Sequence, residues 1–256
     1  MTSTTAVARV ARAVASAERI TVLTGAGIST ASGIPDYRGP NGVWTKNRDA
    51  MRRVSIGPYL ADPEVRIEAW QERLHHAAWD AEPNAGHLAL VDLERAGVLH
   101  ALITQNIDGL HQRAGSSPDL VLELHGTLHE AMCLACGRRT PMREQLDRVR
   151  GGDPDPSCAG CGGVQRSATV AFGQQLDERV LDAAFRAASG CDLFLAVGTS
   201  LVVQPAAALP EVAVEAGADL VIVTASETPL DDLATAILHD PIADVLPAIV
   251  ASRRRR

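Results

Sequence analysis

A short apolar run, Ile20-Thr21-Val22-Leu23-Thr24, leads directly into GAGISTASGIPDYRGPNGVW, which places five glycines (25, 27, 33, 39 and 42) within eighteen residues. Glycine this dense after a strand means either positive φ angles or a backbone that something must approach closely. A polyphosphate is the usual guest of such a loop, because free N–H groups and a helix N-terminus offer it partial positive charge. The spacing is not G-x-G-x-x-G, and Gly25-x-Gly27 alone constrains little. The tail Asp36-Tyr37-Arg38-Gly39 sharpens it by setting charge and an aromatic ring just past the glycines.

The rest of the chain alternates short strands with longer helical patterns. Apolar runs at His100–Ile107, Leu120–Leu124, Leu193–Val197 and Leu220–Val223 read as buried strands. Val7, Val10, Ala11 and Val14 recur at helical spacing, so residues 1–19 read as a first helix although their Ala/Arg/Ser/Thr-rich composition resembles a transit peptide. Asp62-Pro63 opens a helix with Ile67, Trp70 and Leu74 on one face. Asn84 caps another that Gly97 stops, and Asp177 opens a third that ends at Gly190. Pro205–Ala216, 231–238 and 241–251 read as helices too. Aromatic residues are only 3 %, so the core must be Ala, Val, Leu and Ile, which suits a parallel sheet between helical layers. The expected fold is therefore α/β, with a doubly wound, Rossmann-like parallel sheet.

Residues 127–167 break this style with four cysteines, Gly/Pro punctuation and little periodicity. Cys133-x-x-Cys136 and Cys158-x-x-Cys161 are separated by twenty-one residues, just beyond the usual two-knuckle zinc spacing, and each pair sits beside glycine. Four thiolates would saturate a tetrahedral Zn²⁺ and leave it a structural role; redox dithiols or disulfides are the alternative. Cys191 opens a strand and reads as a small apolar filler. The expected layout is a sheet domain in three parts (1–44, 86–126 and 168–256), a helical insert (45–85) and a small zinc-binding module (127–167).

In a doubly wound sheet, ligands gather beyond the carboxyl ends of the strands. Besides the glycine stretch, three motifs sit at such ends: Gln105-Asn106-Ile107-Asp108, His125-Gly126 and Gly198-Thr199-Ser200. Each has a plain reading as well. Asp108 can cap the following helix, and a lone histidine beside a strand is usually packed or on the surface. His87, His111 and His129 have no motif to lift them above that. The net charge of −7 argues against nucleic acid as a partner, and the terminal Arg253–Arg256 run reads as a frayed, solubilising tail. No apolar run approaches the ~18 residues of a membrane span, and paired cysteines suggest metal in a reducing interior, so a cytoplasmic location is expected.

Taken together and in this order, these motifs resemble the sirtuins, NAD-dependent protein-lysine deacylases, from about Ala17 to Pro247. The resemblance implies that NAD lies across the crevice, its pyrophosphate near Gly25, Ala26 and Gly27, with Ser29, Asp36, Tyr37, Arg38 and Trp44 nearby. It implies that Asn106 and Asp108 line the nicotinamide pocket, that Gln105 faces the nicotinamide ribose, and that Gly198, Thr199 and Ser200 meet the adenosine half. His125 would be the general base and Asn106 a further catalytic residue. The acyl-lysine peptide would insert as a strand between Val170-Ala171-Phe172-Gly173 and Val202-Val203; ordinary core strands are the plain reading of both. Attack of the acyl oxygen on the ribose as nicotinamide leaves, followed by hydroxyl attack, would yield free lysine and O-acyl-ADP-ribose. Two departures stand out. Thr224 occupies a place where many sirtuins carry an Asn against the adenosine ribose. Trp70-x-x-Arg73 is the nearest match to the Tyr-x-x-Arg pair of desuccinylases, although core packing for Trp70 and solvent for Arg73 is the reading favoured here. A mono-ADP-ribosyltransferase and a catalytically idle NAD-sensing scaffold are the rival functions.

Overall fold

A computed structural model describes residues 3–39, 42, 43, 50–251 and 253. Trp44 and Arg254–Arg256 lie outside the described residues. In chain order the elements are α1 (Ser3–Ser16), β1 (Ile20–Thr24), a 3-10 helix (Ala26–Ser32), α2 (Ala50–Arg53), α3 (Ile56–Ala61), α4 (Pro63–Leu74), α5 (Ala85–Arg95), β2 (Leu99–Thr104), α6 (Leu110–Ala114) and β3 (Val121–Glu123). They continue with β4 (Gly126–Cys133), β5 (Arg139–Pro141), α7 (Met142–Arg150), β6 (Gln165–Thr169), α8 (Glu178–Ser189), β7 (Leu193–Val197), α9 (Leu209–Glu215), β8 (Asp219–Val223), β9 (Ala236–Leu238) and α10 (Ile242–Val250).

Six parallel strands form the main sheet in the order β3-β2-β1-β7-β8-β9. The order runs outward in both directions from β1 and β7, so the topological switch point lies between them, where a crevice opens beyond the strand ends. Both faces are covered, as the continuous apolar strands require. On one face Val10 and Val14 of α1, Leu90 and Leu93 of α5, and Leu246 and Ile249 of α10 pack on Val22, Leu102, Leu195 and Val221. On the other, Ala184 and Ala188 of α8 and Leu209 and Ala213 of α9 pack on Leu23, Ile103, Phe194 and Ile222. Side-chain caps fix three helix starts: Asp62 accepts from Glu64 N, Asn84 from Gly86 N and Asp177 from Arg179 N.

A separate antiparallel sheet, β5-β4-β6, carries the four motif cysteines at one end. Met142, Leu146 and Val149 of α7 pack with Ala131 and with Trp70 of α4, joining this sheet to the helical insert.

Four local expectations need correction. The segment 231–238 is a short 3-10 turn followed by strand β9, whose Ala236–Leu238 covers the open edge of β8; three residues are too few to show a period. Helix α7 lies inside the stretch that showed little periodicity, because its core positions are separated by four charged residues, Arg143, Glu144, Asp147 and Arg148. The strand expected through Ile107 ends at Thr104, where the backbone turns into the site. Arg253 is not frayed: its guanidinium donates to Val14 O and Ala17 O at the end of α1. Among the described residues no helix is long and apolar enough to cross a membrane.

Candidate active site

The four strand-end motifs converge at the switch point. Gly25 N donates to Val197 O (3.0 Å) and Gly27 N to Gly198 O (2.9 Å), so the loops after β1 and β7 are laced together. A Cβ at Gly25 would lie 2.7 Å from Gly198 O, and one at Gly27 2.7 Å from Gly198 Cα. Gly198 itself has φ +64°. The closest neighbour of the first two glycines is thus backbone, and their N–H groups are already engaged. The helix they open is a 3-10 helix whose Gly25 cap is extended (φ −126°), and Ala26 begins it.

Thr24 and Thr104 end adjacent strands in register, and their hydroxyls meet at 2.8 Å. Thr104 Oγ1 also accepts from Asn106 N (3.0 Å), which turns the chain after β2 inward. Asn106 Nδ2 donates to Gly25 O and to Ser29 Oγ (both 3.2 Å), Ser29 Oγ donates to Asp108 Oδ2 (2.7 Å), and Asp108 Oδ1 accepts from Leu110 N (2.9 Å). Asp108 therefore does cap α6, and it is also part of a buried polar cluster: Ser29, Asn106 and Asp108 are 1 %, 8 % and 5 % exposed. Neither threonine was singled out from the sequence, although a polar residue ending each of two paired, buried strands was the available signal.

Gln105 N donates to Thr24 O, and its side chain donates to Thr199 Oγ1 (2.8 Å), bridging β2 to the loop after β7. Half-buried His125 places Nδ1 2.8 Å from Gln105 O. A carbonyl only accepts, so Nδ1 carries the proton and Nε2 holds the lone pair. Burial lowers the His125 pKa below its ordinary 6.5, with the Gln105 carbonyl acting the other way, so the ring is neutral at pH 7. His129 Nε2 donates to Asp108 O while its ring packs edge-on against Trp79.

Burial raises the Tyr37 pKa, with the charge of Arg73 acting against it and that of Asp108 with it. Asp36 accepts from Gly39 N and holds the turn there, whereas Arg38 is exposed. Ser200 is half-buried, and buried Thr224 donates its N–H to Leu238 O at the end of β8. Trp70 is buried in the core beside α7. Arg73 is half-buried rather than in open solvent, and burial lowers its pKa, with the charge of Tyr37 acting the other way.

Val170 N donates to His125 O, and Phe172 exchanges backbone hydrogen bonds with Val54 and Ile56. Phe172 is exposed, as is Val202, while Val203 is half-buried; Gly173 has φ +88°. The sulfurs of Cys133, Cys136, Cys158 and Cys161 lie within 4.8 Å of one another, and all four thiols are free. Tetrahedral Zn–S bonds of ~2.3 Å set sulfurs ~3.8 Å apart, so this cluster fits zinc. Backbone N–H groups of Cys136 and Ala135 hold the Cys133 thiol down to about 6, whereas Cys161, despite the backbone N–H of Gly163, is pushed up to about 12 by the sulfurs of Cys136, Cys133 and Cys158, so four thiolates together call for a cation among them.

Residues 25–205 match the Sir2 family. NAD-dependent protein deacetylase 2 of Streptomyces coelicolor is 52 % identical over 231 residues, covering 90 % of this chain and 96 % of the relative. An NAD-dependent protein deacetylase of Haloarcula marismortui is 43 % identical, covering 94 % of this chain and 92 % of its own length. Among solved structures, a Sir2 enzyme from work on the mechanism and regulation of these enzymes superposes with a TM-score of 0.89 at 39 % identity, covering 98 % of both chains. Sir2Tm bound to a propionylated peptide gives 0.83 at 34 %, covering 93 % of this chain and 94 % of that one. A doubly wound sheet with its polar cluster at the switch point, a cysteine cluster fit for zinc and these likenesses along nearly the whole length lead to one conclusion: the chain belongs to the Sir2 family.

Proposed function

We propose that this protein removes acyl groups, acetyl foremost, from protein lysines with NAD as co-substrate, releasing nicotinamide and O-acyl-ADP-ribose. The observation that carries the reading is the His125–Gln105 hydrogen bond, which fixes a neutral imidazole with its Nε2 lone pair available beside the Asn106–Ser29–Asp108 cluster. NAD supplies an ADP-ribosyl group whose nicotinamide is displaced. Asn106 and Asp108 offer an amide and a carboxylate from a water-poor site to the carboxamide of that leaving group, and Ser29 keeps the carboxylate oriented. Gln105 and Thr199 position the two halves of the dinucleotide relative to each other, with Ala26, Arg38 and Ser200 along its path and Thr224 at the adenosine end. His125 Nε2 accepts the proton of a ribose hydroxyl.

The peptide side is supported by the exposed apolar Phe172 and Val202, and by the hydrogen bond that ties Val170 to His125 O. An acyl-lysine strand seated between 170–173 and 202–203 would bring its lysine to the base. Zinc, held by four thiolates, has no open position and serves the fold. Four free thiols gathered for a metal suit a reducing compartment, the cytoplasm.

One second reading has an observation behind it. Arg73 stands half-buried on α4 with no carboxylate paired to it among the described residues, and a guanidinium can meet the carboxylate of a succinyl or malonyl group. Mass spectrometry of matched acetyl-lysine and succinyl-lysine peptides, with and without NAD, tests both. NAD-dependent loss of acetyl is expected, and preferred loss of succinyl would install the second reading. His125→Ala should abolish turnover and keep NAD binding; an unchanged rate would refute the mechanism.

A further inference from the structure

Away from the strand ends, Arg53, Tyr59, Trp70, Arg73, Arg166 and Ser167 line a cavity of about 20 Å³ between the helical insert and strand β6. Three of them carry a buried N–H with no acceptor among the described residues: Arg53 Nε, Trp70 Nε1 and Arg166 Nε. All three atoms are donors only, so they cannot satisfy one another. Buried polar groups without partners are rare, and three on one small cavity call for an acceptor that the described residues do not supply.

The charges facing the cavity say what kind. Arg53 spends its terminal nitrogens on Glu68 (3.4 Å) and Glu72 (2.5 Å) of α4, and Arg66 of the same helix is paired with Asp155. Arg166 donates only to neutral oxygens, Thr169 O and Gln174 Oε1, and its guanidinium carbon stacks 5.5 Å from the Tyr59 ring centre. The Tyr59 hydroxyl is committed to Gln165 O, and Ser167 Oγ bonds to Thr169 Oγ1. Among the described residues no carboxylate forms an ion pair with Arg73 or Arg166. Burial pushes Arg166 down to about 10, with the charge of Arg73 acting the same way, as expected of guanidinium groups left without a counter-charge.

We propose that this cavity binds one monovalent anion of halide size, which joins the helical insert to the zinc-bearing sheet through Arg53 Nε, Trp70 Nε1 and Arg166 Nε. A water molecule has two lone pairs for three donors and leaves the positive charge standing. A halide accepts all three and neutralises one guanidinium. Carboxylates, sulfate and phosphate exceed the space, which is about that of a single water-sized group. The readout is salt rather than turnover, so the proposal stands or falls separately from the catalytic reading.

The test uses the full-length, zinc-loaded protein and compares thermal unfolding in sodium chloride, sodium bromide and sodium gluconate at equal ionic strength. Chloride and bromide should raise the melting temperature saturably, by roughly 2–5 °C at 200 mM, while gluconate leaves it flat. A crystal soaked in bromide should show an anomalous peak among the three nitrogens. Arg166→Gln should abolish the halide dependence, and the milder Trp70→Phe, which removes one donor and keeps the core filled, should move its midpoint several-fold higher. Equal melting temperatures in all three salts, or an ordered water without a bromide peak, would overturn the proposal.

Discussion

His87 and His111 sit under the site with their ring centres 5.0 Å apart, both within 1 % of full burial. His87 Nδ1 accepts from Asn84 N, so its proton is on Nε2. The Thr24 hydroxyl has its proton directed at Thr104 Oγ1, so His111 Nε2 donates to Thr24 and Nδ1 holds a lone pair. The two nitrogens left over, a donor on His87 and an acceptor on His111, are complementary, provided that both rings are neutral. Burial holds the His87 pKa down to about 4; burial, then the neighbouring His87, holds His111 down to about 3. An unfolded histidine titrates near 6.5. Both folded values lie below it, so acidification makes the unfolded chain take up protons that the folded chain refuses, and stability falls below pH 6.5. At pH 5 this amounts to roughly 2 kcal/mol for each ring and about 4 for the pair, which titrates as one unit. Urea unfolding at pH 7.5 and 5.0, for wild type and for His87→Gln/His111→Gln, isolates the effect, because acid sensitivity of the zinc thiolates and carboxylates cancels in the difference. Wild type should lose about 4 kcal/mol more than the double variant. Equal losses within ~1 kcal/mol would show that the pair already carries charge at pH 5 and would refute the reasoning.

Gly198→Ala should cost about 3 kcal/mol or more in urea unfolding, because φ +64° strains a side chain and its Cβ would overlap Ile28 N; a cost below ~1 kcal/mol would mean that the two loops are not locked together. Cys133→Ser should remove bound zinc, measured by metal analysis, and open residues 126–169 to proteolysis while leaving the six-stranded sheet folded. The pH profile of kcat/KM should keep its plateau below pH 6.5 before the acidic limb begins, because the half-buried His125 stays neutral to lower pH than a free imidazole; an acidic limb centred above 6.5 would count against it as the base.

The alternation of apolar runs with helices made the doubly wound sheet legible, and the strand-end motifs followed from it, since a parallel sheet delivers all its carboxyl ends to one side. Leu193–Val197 was readable to the residue because all five positions are buried and turn signals flank them. What was not legible depended on contacts between distant segments. The glycines at 25 and 27 pointed to a close approach, but only the pairing of β1 with β7 shows that the approaching group is the backbone of Gly198. Asp108 was readable as a helix cap, and it is one, but its second oxygen accepts from Ser29, a partner seventy-nine positions away that the sequence did not pair with it. Helix α7 was obscured by charge: its buried Met142, Leu146 and Val149 are too few to dominate a nine-residue pattern.

Gly126 pairs with Thr169 where the chain leaves toward the cysteines and returns from them. Because the two ends already lie side by side, the forty-odd intervening residues form a loop whose closure is set by β4 and β6 themselves, and such a closure grows only logarithmically with length. The Rossmann-like sheet is therefore indifferent to how much chain hangs from that point. The module can lengthen, shorten or change its surface while β3 stays where it is, without disturbing the crevice that holds His125.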